Sequence, residues 1–184
     1  CPSPSRLYTS SIASSRDMPC WMRRHCREVN SAVAADLSEP WVAAELLFEA
    51  AESRLGRVSL LVNNAAIFEG GGLGETDAET WSRLFAINLE APYALSQRFV
   101  SGLGEAGPET ATGQIINLAD WRGLQVDRSR LAYSLTKHGL VGLTRSLAES
   151  LAPRVRVWRR MSIGRVVCGA LRLPRRRRLP RRLA

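Results

Sequence analysis

Hydrophobic and polar positions alternate along the middle of the chain as a succession of strand and helix patterns. Short buried strands are predicted over Ser31–Asp36, Val58–Val62 and Gln114–Leu118, and Val155–Val157 starts another strand. Helical periodicity separates these strands, over Pro40–Leu55, from Asp77 to about Val100, and over 131–151. The run Val58–Val62 is the pattern expected of a strand that is buried on both faces.

Strands that alternate with helices in this way predict an α/β fold, in which helices cover a parallel sheet on both faces. In such a doubly wound, Rossmann-like sheet the ligand lies beyond the carboxyl ends of the strands. Candidate site residues are therefore expected just after Asp36, Val62 and Leu118.

Local signals predict where the helices begin and end. Pro40 lies in the first turn of the first helix, and Gly56 is its predicted C-cap. Thr76 and Glu79 predict a capping box at the start of the second helix. The apolar stripe predicted for the third helix consists of Leu135, Leu143, Leu147 and Leu151.

Charge is distributed unevenly along the chain. All 17 Asp and Glu residues precede residue 150, together with 14 of the 26 Lys and Arg residues. The other twelve are arginines in segment 150–184, which Pro174 and Pro180 interrupt, so a continuous basic helix is not expected. A nucleic-acid-binding face would carry such residues on a folded surface, and we expect no specific nucleic-acid partner.

Two further classes are not expected from the sequence. No apolar run reaches the roughly 18–20 residues of a membrane span, and no signal-peptide pattern is visible, so we expect a cytoplasmic protein. The four cysteines (Cys1, Cys20, Cys26 and Cys168) form no CxxC pair, and only Cys20 with His25 and Cys26 suggests a cluster. We expect no metal site.

Tyr133 and Lys137 are the strongest chemical signal. Their spacing of four places both side chains on one helix face, about one turn apart. An ammonium near a phenol stabilises the phenolate, so we expect a pKa of Tyr133 below its ordinary value of about 10. Such a phenol can exchange a proton near neutral pH. Lys137 is the only lysine in the chain, and Asp120 adds a carboxyl group at the mouth of the sheet.

Three other positions carry polar or small residues where a ligand is expected. Asn63-Asn64-Ala65-Ala66 follows Val62, where small residues admit a ligand and amides can tie neighbouring strand ends together. Asn88 lies inside a helix, where Asn is disfavoured, which indicates a special role. Asp36 follows a strand and could instead cap the helix that begins at Pro40.

Together these residues resemble the short-chain dehydrogenase/reductase family. The segment Tyr133-Ser-Leu-Thr-Lys137 matches its YxxxK motif, and Asn63-Asn64-Ala65-Ala66 matches NNAG with Ala in place of Gly. Asn88, in FAINLEAP, matches the helix Asn of the catalytic tetrad. Asp36, in ADLSEP, matches the acid that contacts the adenine.

The resemblance covers about residues 31–157 and implies an NAD(P)-dependent oxidoreductase, with NADP(H) favoured over NAD(H). It implies a homodimer or homotetramer formed through the two helices 77–100 and 131–151. The implied catalytic residues are Tyr133, Lys137, Asp120 and Asn88. The implied cofactor-binding residues are Asp36, Leu37, Asn63, Ala65, Ala66, Tyr133 and Lys137.

Asp120 stands where the family usually has Ser, and in this context it resembles the pteridine reductase branch and the related dihydromonapterin and dihydrofolate reductases. By that resemblance NADPH supplies a hydride and Tyr133 donates the proton. Lys137 supports Tyr133 and holds the nicotinamide ribose, while Asp120 orients or protonates the pterin. Phe68 and Trp121 are candidates to line a flat substrate. A carbonyl or alcohol oxidoreductase and a non-catalytic remnant remain alternatives.

Both ends of the chain depart from the family pattern. Residues 1–30 contain no glycine, so the TGxxxGxG turn that holds the pyrophosphate is not found before Asp36. After Val157 the chain reads WRRM, where the family continues N-x-x-x-P-G. We expect an irregular, non-native segment over 1–30, a domain over 31–157, and an Arg-rich tail over 158–184 that is disordered or frameshifted. The expected fold is thus incomplete, lacking the first βαβ unit and the C-terminal strand, and the fragment could be inactive.

Overall fold

The computed structural model describes residues 33–104, 113–125 and 127–162. Within these ranges the helices are α1 (Pro40–Leu55), α2 (Ala78–Phe85), α3 (Ala91–Gly102) and α4 (Leu131–Ser150). The strands are β1 (Leu60–Asn63), β2 (Gly113–Asp120) and β3 (Val155–Ser162). A π-helical turn over Ala86–Glu90 joins α2 to α3, and short 3₁₀ turns cover Trp121–Gly123 and Arg128–Arg130.

The three strands form a parallel sheet in the order β1-β2-β3. Asn63 lies beside Asn117 at the end of β1, and Asp120 lies beside Ser162 at the end of β2. The connections from β1 to β2 and from β2 to β3 advance in one direction along the sheet, and because such parallel crossovers are right-handed as a rule, α2, α3 and α4 are expected on the same face. This arrangement confirms the expected Rossmann-like α/β fold in an incomplete form.

Helix α1 has the predicted bounds. Pro40 occupies its first turn, and Gly56 is its C-cap at φ 73°, a left-handed conformation that glycine adopts without steric strain. The Phe48 ring of α1 contacts the Phe99 ring of α3 at a centroid distance of 6.3 Å. These two rings belong to the main hydrophobic core, which α1, α3 and the sheet share.

The second predicted helix is continuous from α2 to α3, but its predicted capping box is wrong. Asp77 is the N-cap, and its carboxylate accepts a hydrogen bond from the Thr80 amide at 2.6 Å. The Thr76 hydroxyl accepts instead from the amide of Gly71 at 3.0 Å. Thr76 therefore fixes the preceding loop, which leaves the capping position to the next residue.

The strand predictions need three corrections. In the described part of Ser31–Asp36 only a single bridge residue, Ala34, is present, so no extended strand is found there. Leu60 in β1 is 37% exposed, which contradicts burial on both faces, and β1 is an edge strand of the described sheet. The third correction concerns β3, which continues past Val157 to Ser162 because β2 offers paired residues as far as Asp120.

The strand β3 therefore includes the first residues of the predicted tail. Residues 1–32 and 163–184 lie outside the described ranges, so the expectations for the whole first segment and for most of the tail stay predictions. Among the described helices, none is long and apolar enough to cross a membrane.

The buried face of α4 differs from the predicted leucine stripe. Leu135 is exposed, and the other predicted leucines are only half-buried. The buried side chains are Ala132, Tyr133, Ser134, Thr136, Lys137, Leu140, Val141, Thr144 and Ala148. This face packs against β2, β3 and the π-helical turn, and its polar members are the groups from which the site is built.

Candidate active site

A chain of hydrogen bonds between buried amides joins the strand ends to α4. The Asn63 side-chain amide donates to Asn117 Oδ1 at 2.8 Å, and Asn117 Nδ2 donates to the Thr144 hydroxyl at 2.9 Å. The Thr144 hydroxyl donates in turn to the Leu140 carbonyl at 2.6 Å. These contacts confirm that an amide ties neighbouring strand ends together, and they fix α4 over the carboxyl end of the sheet.

Asn88 is the buried anchor of the loop that follows β1. Its Oδ1 accepts from the Ile67 amide at 2.8 Å, and its Nδ2 donates to the Ile67 carbonyl at 3.0 Å. The same Nδ2 lies 3.2 Å from the Thr136 hydroxyl, which donates to the Tyr133 carbonyl at 2.7 Å. Asn88 thus satisfies both backbone groups of one loop residue and connects the loop to α4.

Tyr133 and Asp120 are in direct contact. The Tyr133 hydroxyl donates to Asp120 Oδ2 at 2.6 Å, while Asp120 Oδ1 accepts from the Arg122 amide at 2.8 Å. The carboxylate therefore caps the turn after β2 and also binds the phenol. Gly123 lets the turn after β2 lie close to α4, because a Cβ atom at this position would lie only 2.9 Å from the Lys137 carbonyl oxygen.

Lys137 lies beneath Tyr133 on the same helix face, as predicted. Its Nζ is 5.5 Å from the centroid of the Tyr133 ring and donates to the Leu118 carbonyl at 3.4 Å, a long hydrogen bond. The side chain is only 4% exposed. An ammonium has three donors, so this buried group keeps hydrogen-bonding capacity for a ligand.

The electrostatics of the pair differ from the prediction. Burial, and next the hydrogen bond and negative charge of Asp120, raise the pKa of Tyr133 above its ordinary value. Burial lowers the pKa of Lys137, while the nearby Asp120 charge opposes that change. The predicted lowering of the Tyr133 pKa by Lys137 is therefore wrong, because a buried phenol bonded to a carboxylate resists ionisation.

An aromatic and cationic group surrounds the Tyr133 ring. Phe68 packs edge-to-face against Tyr133 with ring centroids 4.7 Å apart. The guanidinium carbons of Arg122 and Arg130 lie 5.1 and 4.8 Å from the centroid of the Phe68 ring. We call Phe68, Arg122 and Arg130 the entrance cluster, since Phe68 is half exposed beside the phenol.

The remaining predicted cofactor residues are Asp36 and Leu37, before α1, and Ala65 and Ala66, after β1. Asp36 is exposed, and its Oδ1 accepts from the amide and the hydroxyl of Ser38 at 2.9 and 2.7 Å, which lowers the pKa of Asp36. It forms a local turn, whereas Glu39 is the helix N-cap. The Leu37 side chain is buried in the core, so only its main chain is available. Ala65 and Ala66 are half-buried.

Several functional candidates escaped the sequence analysis. Asn117 stands in an apolar strand and Thr144 in a helix, outside any recognised motif, and Thr136 occupies a variable position of the YxxxK segment. The arginines of the entrance cluster also went unassigned. Within the described ranges no group of three or more His, Cys, Asp or Glu residues is arranged to hold a metal. The cluster of Cys20, His25 and Cys26 lies outside those ranges.

The sequence matches a known family over most of its length. Residues 17–164 fit the family model described as short chain dehydrogenase. The chain belongs to the short-chain dehydrogenase family. The match extends beyond the 31–157 interval on which the motifs lie.

Curated relatives in this family differ in what they act on. The chain is 36% identical over 125 residues to the short chain dehydrogenase/reductase dpchG of Colletotrichum higginsianum, covering 67% of this chain and 46% of the relative. It is 35% identical over 129 residues to the trans-4-hydroxycyclohexanecarboxylate dehydrogenase of Sinomonas cyclohexanicum, covering 69% and 47%. The chain thus spans about half the length of these curated relatives.

Solved structures of the family share the fold. FolM alternative dihydrofolate reductase 1 from Brucella canis, complexed with NADP, is 35% identical with a TM-score of 0.61, covering 69% of this chain and 49% of that one. A putative NAD(P)-dependent gluconate 5-dehydrogenase from Beutenbergia cavernae with bound NADP is 33% identical with a TM-score of 0.60, at the same coverages. The oligomeric state and the cellular location of this chain stay predictions.

Proposed function

We propose that this chain carries the catalytic centre of an NAD(P)H-dependent reductase that acts on a pterin- or dihydrofolate-like substrate. The observation that supports the proposal is the 2.6 Å hydrogen bond from the Tyr133 hydroxyl to Asp120, with the buried ammonium of Lys137 5.5 Å from the centroid of the same phenol ring. A proton donor, a carboxylate and a cation at the carboxyl edge of a parallel sheet are suited to protonate a substrate beside a bound cofactor.

The residues present fit the nicotinamide half of the cofactor. Lys137 keeps donors for ribose hydroxyls, and Asn63 Oδ1 is buried without a hydrogen-bond partner among the described residues. The small side chains of Ala65 and Ala66 leave the backbone after β1 open to close approach. The pyrophosphate half of the cofactor has no such fit, because the sequence has no glycine before Asp36 and so no glycine-rich turn there to bind it.

When bound, a reduced nicotinamide supplies the hydride that adds to a C=N or C=O carbon of the substrate. Tyr133 donates the proton to the nitrogen or oxygen of that bond, which breaks its O–H bond and leaves a phenolate. The raised pKa of Tyr133 keeps the phenol protonated at neutral pH, ready to act as a donor. Lys137 stabilises the phenolate until it takes up a proton from solvent.

The choice of a pterin rests on Asp120. A carboxylate can accept hydrogen bonds from the ring and amino N–H groups of a pterin, whereas a serine in its place would offer a single hydroxyl. The similarity to FolM alternative dihydrofolate reductase 1 supports this choice. A carbonyl or alcohol oxidoreductase is the second candidate, supported by the similarity to the dehydrogenase of Sinomonas cyclohexanicum.

Cofactor binding tests the proposal directly. Titration with NADPH is expected to give saturable nicotinamide fluorescence in the micromolar range, with weaker binding of NADH. The bound protein is then expected to oxidise NADPH in the presence of a dihydropterin faster than in the presence of a simple ketone. Absence of binding at millimolar NADPH would instead favour the non-catalytic remnant.

The Asp120→Asn variant is expected to change the pH dependence of reduction. Reduction needs protonated Tyr133 and is lost as the pH rises through the pKa of Tyr133. Because Asp120 helps to raise that pKa, its neutralisation lowers the pKa and moves the alkaline decline of kcat/KM to lower pH. The measurement is kcat/KM for dihydropterin reduction from pH 6 to the highest pH at which circular dichroism shows both proteins folded, and the decline is expected to begin at lower pH in Asp120→Asn than in the wild type.

Asparagine is the suitable replacement because its Oδ1 can still accept from the Arg122 amide and cap the turn. Asp77→Asn is the matched control, since Asp77 is an exposed N-cap distant from Tyr133 in the chain. An identical alkaline decline in the wild type and in Asp120→Asn would show that Asp120 does not control the proton donor.

A further inference from the structure

The entrance cluster brings two guanidinium groups to one aromatic ring beside the proton donor. Arg122 and Arg130 are eight positions apart in the sequence, yet both guanidinium carbons lie within 5.1 Å of the Phe68 centroid. Phe68 itself contacts Tyr133. A guanidinium that packs on an aromatic ring uses its planar face for the contact, so the N–H groups at its edge can still donate hydrogen bonds to a ligand.

Few of the guanidinium donors are used within the described residues. Arg122 Nε donates to Asp127 Oδ2 at 2.5 Å, and its guanidinium packs on the Trp121 ring at 4.4 Å. Arg130 Nη1 donates to the Gly70 carbonyl at 2.6 Å. Each guanidinium has five N–H donors, so hydrogen-bonding capacity remains on both. These contacts hold the two groups in place.

The charges around Tyr133 do not cancel. Three cations, on Arg122, Arg130 and Lys137, face two carboxylates, on Asp120 and Asp127. The positive charge of Arg122 also acts on the phenol, since it lowers the pKa of Tyr133 against the larger effects of burial and Asp120. The guanidinium groups of the entrance cluster therefore place positive charge beside the proton donor.

We propose that Arg122 and Arg130 form a carboxylate-binding site, which selects planar aromatic substrates that carry a carboxylate group. The planar fork of a guanidinium matches the two oxygens of a carboxylate, and the half-exposed Phe68 ring offers an apolar surface to a flat molecule. The inference rests on the proposed reductase function in placing the substrate at Tyr133. It adds that a substrate with an ionised carboxylate group is bound in preference to its neutral analogues.

Calorimetric titration of the full chain with matched ligand pairs tests the site. The pairs are benzoate with benzamide and pterin-6-carboxylate with 6-hydroxymethylpterin, which differ mainly in charge. In each pair we expect the carboxylate to bind about tenfold more tightly, the order of magnitude of a charge-assisted hydrogen bond. Inorganic phosphate is the third ligand, and it is expected to compete only weakly if the site is built for a carboxylate on a ring.

Three variants assign the preference to the cluster. Arg122→Gln and Arg130→Gln are each expected to remove most of the tenfold preference, whereas the affinity for the neutral ligands changes little. Arg128→Gln is the matched control, because Arg128 is an exposed arginine on the same 3₁₀ turn as Arg130. Circular dichroism and the midpoint of urea unfolding show whether each variant is folded. If Arg122→Gln does not fold, Arg130→Gln alone still tests the site.

The outcomes separate this inference from the proposed function. Equal affinity within each ligand pair, no carboxylate binding below about 10 mM, or an equal loss in Arg128→Gln would overturn the carboxylate site. Tighter binding of inorganic phosphate than of either carboxylate would overturn it as well. A carboxylate preference that persists without any dihydropterin reduction would support the site and overturn the pterin reductase proposal.

Discussion

Substitution of Tyr133 by phenylalanine is expected to lower the rate of dihydropterin reduction by about 10²- to 10⁴-fold, the range associated with loss of a general acid. The phenylalanine ring can keep the edge-to-face contact with Phe68, so the change removes one hydroxyl and its bond to Asp120. NADPH binding is expected to persist, because Lys137 and Asn63 are unaltered. The measurements are single-turnover NADPH oxidation and the NADPH fluorescence titration.

Tyr93→Phe is the matched control for this variant. Tyr93 is half exposed on α3 and contacts Trp41 rather than any group near Asp120. Its hydroxyl is expected to be irrelevant to turnover. If Tyr133→Phe kept the wild-type rate while Tyr93→Phe behaved normally, Tyr133 would not be the proton donor.

Asn88→Ala is expected to reduce the free energy of unfolding by about 2–5 kcal/mol, a large fraction of the roughly 5–15 kcal/mol typical of a domain. The variant removes the side chain that bonds both the amide and the carbonyl of Ile67, a residue that is 4% exposed. It also removes a donor to Thr136, the residue whose hydroxyl bonds the Tyr133 carbonyl. Equilibrium unfolding in urea, followed by circular dichroism, measures the loss.

Asn64→Ala provides the comparison, since Asn64 is exposed on the loop that Asn88 anchors. A change within about 0.5 kcal/mol is expected for a surface position. Asn88→Asp adds a second test, because an aspartate keeps an acceptor for the Ile67 amide but loses the donor to its carbonyl. Asn88→Ala with wild-type stability would show that water satisfies the Ile67 backbone groups.

The local features of the sequence were sufficient to place the elements that carry the site. Pro40 and Gly56 bound α1 in both prediction and structure, because proline and glycine act on their own backbone. The helical spacing of Tyr133 and Lys137 also needed no tertiary information, since one turn of helix places both on the same face. The position of Asp120 at a strand end followed from the alternating pattern alone.

The buried polar partners could not be predicted in the same way. Asn117 lies in a strand that reads as apolar, and its partner Thr144 is on a different element, so only the packed structure pairs them. The direction predicted for the pKa shift of Tyr133 was wrong for a related reason. Sequence spacing showed Lys137 near the phenol, whereas the burial and the Asp120 bond that dominate arise from tertiary packing.

The face of α4 shows why hydrophobicity alone misled the prediction. Leucines 135 and 143 suggested the packed stripe, but the helix approaches the sheet with alanine and threonine side chains such as Ala132, Thr136 and Thr144. Small residues allow the close approach that brings Tyr133 to Asp120. The entrance cluster could not be predicted from the sequence either, because the contacts of Phe68 with Arg122 and Arg130 join residues that are far apart in the chain.

The π-helical turn Ala86–Glu90 sets the rotational phase between α2 and α3. Its i→i+5 hydrogen bonds, such as that from the Ala91 amide to the Ala86 carbonyl, hold one more residue than an α-helical turn can. A one-residue deletion inside α2 or α3 would rotate everything that follows by about 100°. The same deletion within Ala86–Glu90 would only turn the wide turn into an ordinary α-helical one, so Leu95 and Phe99 would keep facing the core. This turn is therefore the place in the α2–α3 segment where a change of length is tolerated.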